Sequence, residues 1–195
     1  MTTAMALMTT LTIALLAAGA NGGYHTDWDQ PFLYACHQGE ILKSLYSFHN
    51  NHKEDRRWIF SCGAAPGGAS PQTCYWTGYE NYWDEPMSFQ CPSDYVVAGL
   101  QSYHSNKRED RRFRFKCCKD SGFRTYSCRM TSYINDWDNI LNYKVPNGQV
   151  LTGVSSYHSN HRDPNPNPKL ISNSNLILYF VYDPDSNLYL TLTLV

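Results

Sequence analysis

An internal repeat constrains the fold of this chain more than any other feature of its sequence. The segment HNNHKEDRRWIFSC, at 49–62, recurs as HSNKREDRRFRFKC at 104–117, and a third copy begins as HSNHR at 158–162. Such a period is typical of proteins built from a small unit that cannot bury its apolar face alone. The repeat predicts three units, which span 24–78, 79–132 and 133–162, and the third is incomplete because DPNPNP follows the HSNHR segment.

The matched positions extend well beyond this motif. A shift of 55 residues superposes the first unit on the second, and a further shift of 54 superposes the second on the third. The superposed sets are Trp28, Trp83 and Trp137; Cys36 and Cys91; Cys62 and Cys117; Gly99 and Gly153; and His49, His104 and His158. Cys74 and Cys128, which are 54 residues apart, also correspond, each lying between two copies of the motif.

The hydrophobic pattern inside each unit has the two-residue period of a β-strand. In RFRFKC, at 112–117, basic and apolar residues alternate without exception, as a strand with one buried face requires. The preceding segments ILKSLYSF and VVAGLQSY are rich in β-branched and aromatic residues, and the polar stretch that follows each of them predicts a hairpin loop. We therefore expect an all-β domain with pseudo-threefold symmetry, like a β-prism or a β-trefoil; a loose β-sandwich is the alternative.

The seven cysteines indicate a disulfide-bonded protein of an oxidising compartment. In each of the first two units a cysteine pair flanks the expected hairpin, so we favour the bridges Cys36–Cys62 and Cys91–Cys117. Adjacent cysteines of one strand point to opposite faces and need different partners, so a Cys74–Cys118 bridge would staple the first unit to the second. Cys128 is then unpaired, although the spacing alone does not establish the connectivity.

The N-terminal segment MTTAMALMTTLTIALLAAGANGG has the features of a secretory signal peptide. Its apolar run, at about 8–18, is too short to span a bilayer, and AGA at 18–20 fits the cleavage pattern. We predict a signal peptide over 1–20, a β-domain over 21–162 and a divergent tail over 163–195. An N-terminal membrane anchor is the alternative.

Six basic residues of the repeated segments are candidate ligand-binding residues. In one interpretation the Asp of each copy pairs with a neighbouring Arg or caps the loop backbone, and so fixes the hairpin. In the other, the Arg side chains bind sulfate or carboxylate groups of glycans or acidic proteins. We favour the structural interpretation for residues that recur with the repeat, whereas no requirement of the fold explains the last two candidates. The six are Arg56, Arg57, Arg111, Arg112, Arg114 and Lys116.

No motif indicates metal binding or catalysis. The three repeated histidines could converge on an axis, but no carboxylate or thiolate lies at a typical ligand spacing in the sequence, so we expect no metal site. G-x-S-x-G, H-E-x-x-H and P-loop motifs are missing from the sequence, and the adjacent pairs Glu54-Asp55 and Glu109-Asp110 fit a hairpin loop better than an acid–base dyad. We expect a protein that is not an enzyme, needs no cofactor and, with a net charge of −1, has neither nucleic acid nor a membrane as its partner.

Taken together, these residues resemble the dermatopontin family. The resemblance is carried by the Asp-Arg-Arg-aromatic-x-Phe motif in both copies, the Trp-Asp pairs, the cysteine pairs and the fifteen tyrosines, and it covers Tyr24 to about Arg162. It implies a small secreted, disulfide-bonded matrix protein. Vertebrate members of that family associate with proteoglycans, collagen and cell-surface receptors, and invertebrate members include agglutinating lectins and components of mineralised matrices.

That resemblance implies two functions of different classes. The first is an extracellular matrix protein that mediates adhesion and matrix assembly through proteins, proteoglycans or sulfated glycans. The second is a soluble carbohydrate-binding lectin that agglutinates cells or microbes in innate defence. In both, the arginine-rich hairpins are the candidate contact surface.

The sequence departs from the family pattern after Arg162. Alternating prolines cannot supply consecutive strand donors, but LILYFVY at 176–182 has the composition of a strand. We interpret the tail as a frameshifted, alternatively spliced or unspliced segment; the alternative is a genuine variant whose tail closes the sheet in another way. We expect the apolar strand Val150 to Val154 to be under-covered and the stability to be lower than that of an intact relative.

Overall fold

The computed structural model describes residues 23–157 and the strand 175–182. Within these residues the chain forms eleven β-strands, one short 3-10 turn (Pro66–Gly68) and no α-helix, so the expected all-β class is confirmed. The expected signal peptide, the third copy of the motif and most of the tail lie outside the described residues. The strands are β1 (Phe32–Ala35), β2 (Glu40–Asn50), β3 (Asp55–Ala64), β4 (Thr73–Trp76), β5 (Met87–Gln90), β6 (Val96–Ser105), β7 (Asp110–Lys119), β8 (Tyr126–Met130), β9 (Leu141–Lys144), β10 (Gln149–Tyr157) and β11 (Asn175–Tyr182).

Three antiparallel hairpins form the centre of the fold. β2 pairs with β3 and β6 pairs with β7, where the sequence predicts hairpins, and β10 pairs with β11. The last loop residue of the first two hairpins, Glu54 or Glu109, has a φ of 48°, a left-handed conformation that reverses the chain before the second strand. All three hairpins have a register irregularity at equivalent places: between Leu42 and Ser44, between Val97 and Gly99, and between Leu151 and Gly153.

The hairpins exchange outer strands in a closed order. β1 of the first unit pairs with β6 of the second, β5 of the second pairs with β10 of the third, and β9 of the third pairs with β2 of the first. A hairpin is at best marginally stable alone, so each unit completes a sheet of the next. The resulting sheets have the orders β1-β6-β7-β4, β5-β10-β11-β8 and β3-β2-β9.

The apolar core lies where β2, β6 and β10 meet. Leu45, Leu100 and Val154 occupy equivalent positions of the three units, and each is at most 4% exposed. All three line one apolar cavity together with Trp58 and Phe113. Burying each of these side chains stabilises the fold by about 1.5–3 kcal/mol, so every unit contributes to the same core.

The tail supplies the second strand of the third hairpin. Val150 pairs with Val181 in β11, just as Val96 pairs with Cys118 in β7. The expectation that residues 150–154 would be under-covered is wrong: Val150, Leu151 and Val154 are at most 4% exposed, because β11 pairs along the length of β10.

Three disulfide bonds join the strands, and they are the three favoured from the spacing of the repeats. Cys36–Cys62 and Cys91–Cys117 close the first two units, and each pair is separated by 26 residues. Cys74–Cys118 joins β4 to β7, with its Cα atoms 4.1 Å apart. Cys128 is an exposed free cysteine, because its equivalent bridge would need a cysteine at position 181.

We predict that Val181→Cys restores this missing bridge. Ser127 and Cys128 lie opposite position 181, at the irregularity between β8 and β11. Under oxidising conditions the variant should lose both thiols, and closing a loop of this length raises the free energy of unfolding by about 2–4 kcal/mol. Thiol titration and urea unfolding with and without reductant measure the two effects, with Val181→Ser as the control. Two reactive thiols in the folded, oxidised variant would contradict the register of β11.

Candidate functional site

An aromatic cluster recurs in each of the three units. Its centre is a tryptophan whose ring meets, edge to face, an aromatic ring near the end of the first hairpin strand. The centroid distances are 6.2 Å for Trp28–Phe48, 5.2 Å for Trp83–Tyr103 and 5.9 Å for Trp137–Tyr157. We call these aromatic clusters 1, 2 and 3. The repeated tryptophans were visible in the sequence, but sequence reasoning assigned them no role, because their ring partners lie about 20 residues away.

An arginine stacks on each of the first two clusters. The Arg57 guanidinium lies 4.5 Å from the ring centroid of Tyr24 and 5.6 Å from that of Trp28. Arg112 lies 5.2 Å from the ring centroid of Tyr79 and 5.4 Å from that of Tyr82, which is 75% exposed. Cation–π contacts of this length orient a guanidinium while one of its faces stays close to solvent.

Backbone contacts hold these two arginines in the same way. Nε of Arg57 donates to the carbonyl of Thr26 at 3.1 Å, and Nε of Arg112 donates to the carbonyl of Asn81 at 2.7 Å. Thr26 and Asn81 are equivalent, buried residues at the start of each unit. The fold therefore fixes both half-buried guanidinium groups beside their aromatic rings.

Arg114 and Lys116 continue a basic row on β7 that begins at Arg112. Alternate residues of a strand share a face, and all three are half-buried rather than core residues. Arg114 donates from Nε to Gln101 Oε1 at 2.8 Å and lies 5.5 Å from the ring centroid of Trp76. The first unit has Ile59 and Ser61 at the equivalent positions, so it lacks this row.

The other two candidate arginines are internal. Arg111 is 5% exposed and binds Asp55 of the first unit through both carboxylate oxygens, with Nε–Oδ1 and Nη2–Oδ2 distances of 2.6 Å. Arg56, also 5% exposed, donates from Nη1 to the carbonyl of Asn139 in the third unit at 3.0 Å. Burial lowers the pKa of Arg56 to about 10. Because both side chains are used inside the protein, we leave them out of the proposed binding surface.

The repeated aspartates fix the loops that carry the tryptophans. Asp55 accepts a hydrogen bond from the backbone N–H of Asp29, and Asp110 accepts one from that of Asp84, both at 2.9 Å. Asp29 and Asp84 have φ values of 59° and 62°, a region that non-glycine residues seldom adopt. The sequence predicted that these aspartates cap the backbone of their own hairpin loop. In the structure they cap the backbone of a neighbouring loop, the one that carries the tryptophan.

The repeated histidines lie at the seams between units. Nδ1 of His104 is 3.6 Å from Asp29 Oδ1, and Nε2 of His49 is 3.3 Å from Asp138 Oδ1; His158 lies outside the described residues. The sequence has no carboxylate at a typical ligand spacing from these histidines, but the fold places one oxygen each of Asp29 and Asp55 in a group with a His104 nitrogen, all within 4.8 Å of one another. Sequence spacing could not show this, because the carboxylates come from a different unit.

The fold and this repeated site define a class of disulfide-bonded, all-β proteins assembled from related hairpin units. The sequence model of the Dermatopontin family matches residues 26–165. The chain belongs to the dermatopontin family. No solved structure gives a significant match.

Three relatives show how far the similarity extends. A hemagglutinin/amebocyte aggregation factor of Limulus polyphemus is 45% identical over 141 residues, which are 70% of this chain and 79% of the relative. Millepora cytotoxin-1 of Millepora dichotoma is 38% identical over 134 residues, 69% of this chain but only 59% of the relative. Dermatopontin of Biomphalaria glabrata is 35% identical over 129 residues, 66% of this chain and 85% of the relative.

Among the residues that the structure describes, none forms a helix with the length and apolarity needed to span a bilayer.

We predict that His49 makes the fold acid-sensitive. Burial, followed by the charge of Arg56, lowers the pKa of His49 from 6.5 to about 4. Between these values the unfolded chain binds a proton that the folded protein does not, so stability falls as the pH is lowered from 6.5 to 4 and is retained above 6.5. The contribution is on the order of 3 kcal/mol.

Urea unfolding at pH 7 and pH 4 measures this effect. In His49→Gln the loss of stability between the two pH values should be smaller than in the parent by about that amount. The exposed loop residue His52 provides the control, since His52→Gln should keep the parent's dependence. Equal pH dependence in the parent and in His49→Gln would show that His49 does not resist protonation.

Proposed function

We propose that this is a secreted, non-enzymatic extracellular protein that mediates adhesion and matrix assembly by binding proteoglycans, sulfated glycans or acidic matrix proteins. The observation that carries the proposal is the basic row Arg112, Arg114 and Lys116, which lies beside aromatic cluster 2. Family membership supports an extracellular role, as do the three disulfide bonds, because such bonds persist in oxidising compartments. Cell-surface receptors are further candidate partners.

We also propose that the three units are related by a pseudo-threefold axis, with a signal peptide over 1–20 removed on secretion. The closed order of strand exchange and the equivalent register irregularities support the symmetry. The β-domain would begin near 21 as expected from the sequence. Its end is later than 162, because the strand Asn175–Tyr182 belongs to the third hairpin.

The chemistry of the basic row suits sulfated sugars. A guanidinium presents parallel N–H donors that match two oxygens of a sulfate or carboxylate. The neighbouring rings of Trp83 and Tyr82 offer apolar faces, and Tyr and Trp suit surfaces where an apolar body and a polar edge are needed together. Since Arg112 and Arg114 are already held by Asn81 and Gln101, little side-chain entropy is lost when a ligand binds.

We predict that replacing Arg112, Arg114 and Lys116 with Ser weakens binding to immobilised heparin by about 10- to 100-fold, as expected from three solvent-accessible charge contacts of ~0.5–1 kcal/mol each. The slope of affinity against salt concentration should also fall, because exposed charge contacts are screened. Surface plasmon resonance at several salt concentrations measures both quantities.

A triple variant that removes the same charge elsewhere on the surface distinguishes a specific binding site from a general effect of net charge. Lys53, Lys107 and Arg124 are exposed and lie off the basic row, so replacing them with Ser removes the same formal charge. This control should bind heparin nearly as the parent does. If both triple variants fold and lose affinity equally, the basic row is not the binding site.

A second candidate function is a lectin that agglutinates cells or microbes. It is favoured by the three aromatic clusters, because a chain must carry at least two sugar sites to bridge two cells. The similarity to the Limulus hemagglutinin/amebocyte aggregation factor agrees with it.

We predict that the double variant Trp28→Ala/Trp83→Ala loses agglutination of erythrocytes or bacteria while retaining binding to soluble glycans through cluster 3. A glycan array and an agglutination assay with and without competing sugar test this directly. Tyr75→Ala, which removes an exposed aromatic ring outside the clusters, is the control. A folded double variant that agglutinates as well as the parent would exclude the clusters as the bridging sites.

A further inference from the structure

A group of acidic side chains meets a buried histidine at the seam between the first and second units. Asp29 and Asp55 come from the first unit, whereas His104 and Glu109 come from the second. His104 Nδ1 is 3.6 Å from Asp29 Oδ1, and His104 Nε2 is 3.8 Å from Glu109 Oε2. The strand exchange that places β1 against β6 brings these distant parts of the chain together.

Two atoms of this group are buried without a hydrogen-bond partner. They are Nε2 of His104, whose side chain is only 1% exposed, and Oδ1 of Asp29. Leaving a buried polar atom unsatisfied costs about 1–3 kcal/mol. Nε2 of His104 faces Glu109, whereas Oδ1 of Asp29 faces Nδ1 of His104, so a ligand bound between Asp29 and Nδ1 would offset the cost at Asp29. A carboxylate oxygen that has no hydrogen-bond donor requires a ligand that is positively charged or that donates a hydrogen bond.

The charge of the group points to a cation. Three carboxylates, those of Asp29, Asp55 and Glu109, lie in this group with His104. With these acids ionised, the three negative charges outnumber the two positive charges of Arg111 and Arg56, both of which interact with Asp55.

We propose that Asp29, Asp55 and His104 bind a divalent metal ion of the zinc type, which clamps the first unit to the second. One nitrogen or oxygen of each residue lies within 4.8 Å of the others. Zinc accepts imidazole and carboxylate ligands together at about 2.0–2.2 Å, so contraction of the group by about 1 Å completes three of four tetrahedral positions. Calcium and magnesium prefer oxygen ligands alone.

The surrounding contacts fit this assignment. If Nδ1 of His104 is the metal ligand, Nε2 carries the proton and donates toward Glu109, an arrangement that orients a ligating imidazole. Asn106 Oδ1, now 3.1 Å from Nδ1, is positioned to supply the fourth ligand in place of that contact. Oδ2 of Asp55 already accepts from both Arg111 and the backbone N–H of Asp29. Oδ1 accepts from Arg111 alone, so its second lone pair is the one that can bind a metal.

Isothermal titration of the purified, disulfide-intact protein with ZnCl2 tests the proposal. The expected result is one ion per chain, and the unfolding midpoint should rise by about 5–10 °C at a 100-fold excess over the dissociation constant. Affinity should fall as the pH is lowered, because the ligands must be deprotonated. Titration with CaCl2 should give no comparable rise.

Variants decide whether this seam is the site. His104→Gln and Asp29→Asn should each lower zinc affinity at least tenfold, and Asp29→Asn provides the answer if the buried histidine variant does not fold. The exposed His52→Gln and the seam variant His49→Gln should retain binding, since the described residues form only one such ligand group. Undiminished zinc binding in Asp29→Asn, loss of binding in His52→Gln, or a response to calcium alone would overturn the proposal.

Discussion

In this structure one outer strand of each unit pairs with the sheet of the next unit, and the rest of the fold depends on this exchange of strands. β1, β5 and β9 all pair with the hairpin of another unit, so no unit contains a complete sheet of its own. Because a two-stranded hairpin is marginal in water, the three units must fold together. The buried Arg111–Asp55 ion pair joins the first and second units, as the pairing of β1 with β6 does. Breaking such a buried pair costs about 3–5 kcal/mol.

This mutual dependence explains how a strand from outside the repeated sequence, β11, can complete the sheet of the third unit. A hairpin needs from its second strand a regular row of backbone donors and acceptors, which many sequences can supply, whereas a disulfide needs one particular side chain at one position. β11 meets the first requirement by pairing with both β10 and β8. It does not meet the second, since position 181 is a valine, and Cys128 has no disulfide partner within the chain.

Much of the fold could be predicted because the signals are local or repeated. Alternation in RFRFKC predicted a strand, and the common spacing of the cysteines favoured the bridges Cys36–Cys62 and Cys91–Cys117. The third bridge, Cys74–Cys118, followed from the opposite orientations of two adjacent cysteines in one strand. The sequence could not show which unit contributes a strand to the sheet of which other unit. Nor could it show that Arg111 binds an aspartate 56 residues away rather than one close to it in the sequence. The acidic group around His104 was missed for the same reason: its members are close in space only after the strands are exchanged, and periodicity carries no information about that step.

The two consecutive arginines of each repeated motif have different surroundings, and these separate the structural interpretation from the proposed binding interpretation. Successive side chains of a strand point to opposite faces, so the first arginine, Arg56 or Arg111, turns inward to a seam. The second, Arg57 or Arg112, turns outward to an aromatic cluster. The inward position is fixed by the requirements of the fold and is therefore equivalent in both units. The outward face is free to differ: of these two units, the second carries the further basic residues Arg114 and Lys116, whereas the first has Ile59 and Ser61 in their places.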